Sequence, residues 1–148
     1  MNRRISRKIE NYLYQAAGKT WNIPNVQIEI NELGSEVIPG RETTRMTRFV
    51  AKEICSTYTE INGDELNFLC NITGTTYTEV ASKIGVTKGI VSKWVAKKDS
   101  SISLANSILI KKYFFLKIFG NDNLKDVSIF VAYDDEKLFQ YIKDKIAA

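Results

Sequence analysis

Residues 76–95 read TYTEVASKIGVTKGIVSKWV, and the offsets within this stretch decide the fold. Thr76 and Thr87 stand where helix N-caps are needed, eleven positions apart, and Gly85 stands where the first helix has to stop and turn. Ala81 is small where a second helix must cross closely over the first. Val80, Ile84, Val86, Val91 and Trp94 are the apolar positions that lock two such helices together and against a preceding one. The remaining positions of the second helix are Lys88, Gly89, Ser92, Lys93 and Lys97, one polar face rich in lysine. This pattern predicts a helix-turn-helix whose second helix lies in a DNA major groove. The plainer alternative, a helical hairpin with a solvated lysine face, does not account for cap, small residue, turn glycine and apolar set agreeing at fixed offsets.

Outward from this stretch, the chain punctuates itself. Asn62-Gly63 punctuates the chain, and a short helix follows with Asp64 and Glu65 in its first turn and Leu66, Leu69 and Thr73 on one face, ended by Gly74. Thr76 caps a helix to Ile84, Thr87 one to about Lys97, and an apolar helix follows over 104–119, ended by Gly120. Upstream, Ile5, Ile9, Tyr12 and Leu13 fall at i, i+4, i+7 and i+8, which predicts an opening amphipathic helix over 2–17 with Gly18 as its stop. Val26, Ile28 and Ile30 alternate with Gln27 and Glu29 as a half-buried strand, and Glu36-Val37-Ile38 is its hairpin partner. After Pro39-Gly40, Met46, Phe49, Val50 and Ile54 recur at helical spacing over 43–58, with Thr43 or Thr44 as cap. The tail reads as a strand over 127–133 and a helix over 134–146. The expected fold is therefore mainly α. It comprises an N-terminal α/β region (1–60) serving dimerisation or partner binding, a five-helix helix-turn-helix domain (61–120), and a C-terminal β–α appendage (121–148) suited to dimerisation.

Composition narrows the chemistry. The 148 residues carry no histidine and two cysteines, Cys55 and Cys70, so no Ser-His-Asp, Cys-His or His-metal site can be assembled. The two cysteines could bridge, but isolated Cys in apolar helical patterns more commonly act as small buried hydrophobes. The acids Asp134-Asp135-Glu136 are better explained as a helix start than as a carboxylate pair, and no Gly-rich phosphate loop accompanies them. An enzyme is the weakest reading. The net charge of +4 is concentrated in 64–120, where eight basic residues face four acidic ones. Lys83, Lys88, Lys93, Lys97 and Lys98 occur there without an acid between them. No apolar run is long enough to span a bilayer, and the basic start, Arg3, Arg4, Arg7 and Lys8, does not resemble a signal peptide, which predicts a soluble cytoplasmic protein.

The stretch DELNFLCNITGTTYTEVASKIGVTKGIVSKWV resembles the DNA-binding domain of the Cro/CI (XRE) helix-turn-helix family. Within that family the likeness is closest to the C-terminal domain of MqsA-type antitoxins. It is carried by Phe68-Leu69, Gly74, Ala81, Gly85-Val86-Thr87 and Val91-Ser92-Lys93-Trp94. Two positions depart from the pattern: Tyr77 stands where the family has Gln, and Val95 where it has Glu. A weaker likeness runs from Asn25-Val26 through Ile38-Pro39 to Arg41, parallel to the β-rich zinc domain of those antitoxins. The zinc-ligating cysteines are absent here, so the resemblance implies no metal and no other cofactor.

The functional expectation is a sequence-specific, double-stranded DNA-binding transcriptional regulator of a prokaryote or phage. It would act as a homodimeric repressor or autoregulator on a pseudo-palindromic operator. Thr76, Tyr77, Lys83, Thr87, Lys88, Gly89, Ser92, Lys93, Lys97 and Lys98 are the expected DNA-contacting residues. Among them Lys88 and Lys93 face guanine edges or phosphates, Tyr77 donates to a phosphate or stacks on a sugar, and Lys83, Lys97 and Lys98 supply sequence-independent attraction. The apolar helix over 104–119, with Tyr113, Phe114, Phe115 and Phe119, either dimerises or completes the monomer core. The runner-up function is an antitoxin or phage-type inhibitor that binds a protein partner and represses its own operon. RNA binding ranks below both, because no stacking platform is evident on the basic face.

Overall fold

The computed structural model describes residues 5–57 and 59–120. The strand and helix expected over 127–146, Asp134-Asp135-Glu136, Arg3, Arg4 and Tyr58 lie outside them. The chain forms two compact units, Met1–Val50 and Ala51–Ala148. Among the described residues three strands lead and five helices follow: β1 (Ile5–Ala16), β2 (Lys19–Ile30), β3 (Glu36–Val37), α1 (Gly40–Cys55), α2 (Gly63–Thr73), α3 (Tyr77–Ile84), α4 (Lys88–Ala96) and α5 (Leu104–Phe119). The division falls inside α1. This is a mixed α/β protein, and the expectation of a mainly α fold with a small N-terminal region is corrected.

The correction comes from the opening segment, which is the first strand of an antiparallel sheet of order β1-β2-β3 rather than a helix. Ala17 and Gly18, at φ of 52° and 73°, make the two-residue turn that joins β1 to β2. Two consecutive positive φ values suit the twist of a tight hairpin, so Gly18 completes a turn and does not stop a helix. The pairing runs from Ile5 opposite Ile30 to Ala16 opposite Lys19. The helical spacing in the sequence has a structural cause. On β2 the buried residues are Ile23, then Val26 and Ile28, so the inward parity changes at Pro24-Asn25, where Asn25 has φ 55°. Opposite, Ile9 and Tyr12 are both half-buried, three positions apart, and thereby imitate a helix stripe. The other two stripe residues, Ile5 and Leu13, are 60% and 66% exposed.

At the change of parity the carbonyls of Pro24 and Asn25 accept from Arg45 Nη2 at 3.2 and 2.9 Å, and Arg45 Nε also donates to Glu42 Oε2 at 2.9 Å. A single arginine of α1 thus satisfies backbone oxygens at the kink. β3 pairs with the end of β2 as expected, Glu29 opposite Val37 and Ile30 opposite Glu36. Arg7 is ion-paired with Glu36. Helix α1 starts three residues before Thr43, because the Pro39 carbonyl accepts from Glu42 and Thr43 N–H at 2.9 and 3.1 Å. Ile23, Val26, Ile28, Met46 and Val50 are the buried apolar residues of this unit.

Over 61–120 the structure has four helices, α2 to α5, where five were expected, and their bounds follow the sequence reading closely. Asn62 and Glu65 form a reciprocal capping box at the start of α2, and Gly74 closes the helix in the left-handed region. Ser103 caps α5. The chain between α4 and α5 returns to the start of α2: Asp64 N–H donates to Lys98 O at 2.8 Å and Ile102 N–H to Ile61 O at 2.7 Å. Buried Ser107 locks the junction, accepting from Ile61 N–H and donating to Ile102 O, each at 3.0 Å. Lys111 is fully buried, and its Nζ donates to the carbonyls of Thr57 and Thr59 at 2.7 and 2.6 Å. The α5 aromatics divide: Phe114 and Phe115 are buried, while Tyr113 and Phe119 are half-buried.

Candidate nucleic-acid interface

Helices α3 and α4 are joined by Gly85-Val86-Thr87, and local chemistry sets both ends of the joint. Thr76 Oγ1 accepts from Glu79 N–H at 3.1 Å, and Thr87 Oγ1 accepts from Ile90 N–H at 3.3 Å. Gly85, at φ 80°, ends α3 with its N–H on Ala81 O at 3.0 Å, and Val86 N–H reaches the same carbonyl. Val80, Ala81 and Val91 are buried, while Ile84, Val86 and Trp94 are half-buried. The apolar set read from the sequence is therefore the inward set.

Of the ten expected contact residues, Thr76, Lys83, Thr87, Lys88, Gly89, Lys93, Lys97 and Lys98 are exposed. Ser92 and Tyr77 are half-buried. Along α4, Lys88, Ser92 and Ala96 form one row at i, i+4 and i+8, with Gly89, Lys93 and Lys97 in the next, opposite buried Val91. None of the five lysines forms an ion pair with a described residue. A Cβ placed on Gly89 would meet only Thr87 Oγ1, at 3.9 Å, so the first turn of α4 presents bare backbone outward. Both threonines accept with the hydroxyl oxygen, which leaves each O–H proton available to an external acceptor.

Tyr77 has a partner within the protein. Its hydroxyl donates to Asn67 Oδ1 at 2.8 Å, tying the first turn of α3 to α2. Asn67 was not legible as a site residue, since a polar position on a short helix carries no distinguishing signal. Behind α3, Lys117 Nζ on α5 donates to Glu79 Oε2 at 2.8 Å and lies 3.4 Å from the Tyr113 hydroxyl. The hydrogen bond from Lys117 holds the Glu79 carboxyl below its ordinary range, and the bond to Glu79 raises Lys117. The clamp therefore weakens as pH falls through the carboxyl's lowered value and as it rises through the ammonium's raised one.

Gly63 proves to be a packing residue. A Cβ there would stand 2.0 Å from the Trp94 carbonyl oxygen, so the start of α2 approaches the α4 backbone as only glycine permits. Cys55 and Cys70 are free and buried, and burial pushes their thiols up to about 12 and about 11. Both are inert at neutral pH. Among the described residues no three His, Cys, Asp or Glu side chains converge as a metal requires, and no helix is long and apolar enough to cross a membrane. Compared with protein-family models, curated proteins and solved structures, the chain matches none.

Proposed function

We propose that this protein is a sequence-specific double-stranded DNA-binding regulator of transcription, working in the cytoplasm as a homodimeric repressor or autoregulator through α3 and α4. One observation carries the reading: the outward side of α4 presents Lys88, Gly89, Ser92, Lys93 and Lys97 opposite buried Val91, with no described acid paired to the lysines. A helix of this width fits the major groove, where lysine donates to guanine O6 and N7. Lys83 and Lys98 supply attraction to phosphate whatever the sequence, and Thr76 and Thr87 donate their hydroxyl protons to phosphate oxygens. The resemblance of residues 61–120 to the Cro/CI (XRE) family supports the same assignment.

Fluorescence anisotropy of the protein on the duplex upstream of its own gene and on a scrambled duplex, each at two salt concentrations, tests it. Discriminating, salt-dependent binding is the expected result. Lys93→Ala costs about 1–3 kcal/mol and relaxes choice at one position, whereas Lys83→Ala weakens all sequences alike and lowers the salt slope by about one. If neither variant changes binding, α4 does not enter the groove. A second reading, an antitoxin or phage-type inhibitor that also represses its operon, draws on the N-terminal unit. Ile5, Leu13 and Leu33 there are 60%, 66% and 90% exposed, single apolar side chains open to a protein partner.

A further inference from the structure

Ile90 is 39% exposed although it sits in the first turn of α4, surrounded by the polar positions just described. Scattered exposed hydrophobes are ordinary, so exposure alone says little. Its position says more. Ile90, Lys93 and Lys97 fall at i, i+3 and i+7, one row along the helix, so the isoleucine stands in line with two lysines that pair with no described acid, at the border of the basic face. Beside it Gly89 contributes no side chain, so nothing on the neighbouring position shields the sec-butyl group.

The chemistry of that row is divided. Lysine donors satisfy guanine O6 and N7 or phosphate oxygens, and they cannot distinguish thymine by its methyl. An isoleucine offers neither donor nor acceptor, so against a base edge it gains only from apolar surface. The one apolar group on the floor of the major groove is the thymine 5-methyl. Facing a purine N7 or a cytosine amine, the same side chain strips water from a polar atom without replacing the hydrogen bond.

We propose that Ile90 is a specificity-determining residue that selects thymine through its 5-methyl group at one position of each half-site. The inference rests on the DNA-binding reading of α4, and its test separates the two. Duplexes are first enriched from a randomised pool on the full-length protein. Each thymine of the enriched sequence is then replaced by deoxyuridine, which removes the methyl and leaves every hydrogen-bonding atom. The wild-type protein should lose about fourfold in affinity at one position per half-site, equivalent to ~0.8 kcal/mol for one buried methyl at about 1.4 kcal/mol per tenfold. Ile90→Ala should bind the thymine and uracil duplexes equally, while Lys93→Ala should keep the methyl sensitivity. Ile90→Val, which retains the β-branch, carries the same comparison with a reduced ratio if the alanine variant melts early. Enrichment followed by indifference to every uracil, or Ile90→Ala retaining the full ratio, overturns the role of Ile90 and leaves the DNA-binding reading standing. Failure to enrich any sequence overturns both.

Discussion

In the N-terminal unit the backbone of β1 is paired along its length with β2, yet most β1 side chains remain exposed. In the described part of the C-terminal unit, α2 to α5 each begin on a capping side chain, and buried apolar residues recur from Ala51 to Phe115. One region holds its shape by pairing of distant backbone, the other by local caps and a desolvated core. Local chemistry is written at fixed offsets and survives reading one residue at a time. Cross-strand pairing belongs to two segments jointly, and a segment announces it only where its side chains keep strict alternation.

The largest effect that separates the regions is alkaline. Burial holds the Cys55 thiol neutral to about 12 against 9.0 when exposed, so the unfolded chain gives up this proton first. The stability it contributes is full below pH 9 and is lost as pH rises through about 12, up to ~4 kcal/mol by linkage. Thermal melts across that range should fall more steeply for the wild type than for Cys55→Ala. Equal slopes would mean that the thiol is not desolvated.

Gly63→Ala should cost ~3 kcal/mol, the upper end of overpacking, because the obstructing atom is a backbone oxygen that cannot rotate away. Urea unfolding measures the loss. Amide exchange should show it in α2 and α4 while protection in β1 and β2 stays unchanged, and a cost under ~1 kcal/mol would refute the close approach.

The smallest change sharpens the comparison from the other side. Asn25→Ala removes the polar side chain that lets asparagine adopt the left-handed region at φ 55° and should cost ~1 kcal/mol, whereas Asn25→Gly should be close to neutral. Faster amide exchange confined to the paired strands is the signature. If alanine is tolerated as well as glycine, the change of parity does not depend on the left-handed residue.

The legibility of the molecule follows the same division. Thr76, Gly74, Gly85 and Thr87 mark helix ends within three or four residues of the groups they satisfy, so α3, the start of α4 and the end of α2 were readable almost to the residue. The β2–β3 pairing was readable because Val26, Ile28 and Ile30 keep strict alternation after the kink. β1 was not, because the parity change puts Ile9 and Tyr12 three apart and gives a strand the period of a helix. For the candidate interface, exposure of the lysines followed from the apolar set on the opposite side of α4. Exposed Ile90 and the inward hydroxyl of Tyr77 did not follow, since each depends on what a neighbouring helix does.

The sequence by itself determined where the helices of residues 62–119 begin and end and which faces of α3 and α4 turn inward. Caps, left-handed glycines and apolar periodicity act over one or two turns, within reach of the residues that encode them. Only the tertiary structure decided that residues 5–16 form a strand, that Gly63 meets the α4 backbone, and that Arg45 and Lys111 satisfy carbonyls some twenty and fifty residues away. Those outcomes depend on backbone groups brought together by the fold, and a backbone carbonyl has no residue type by which a sequence could announce it.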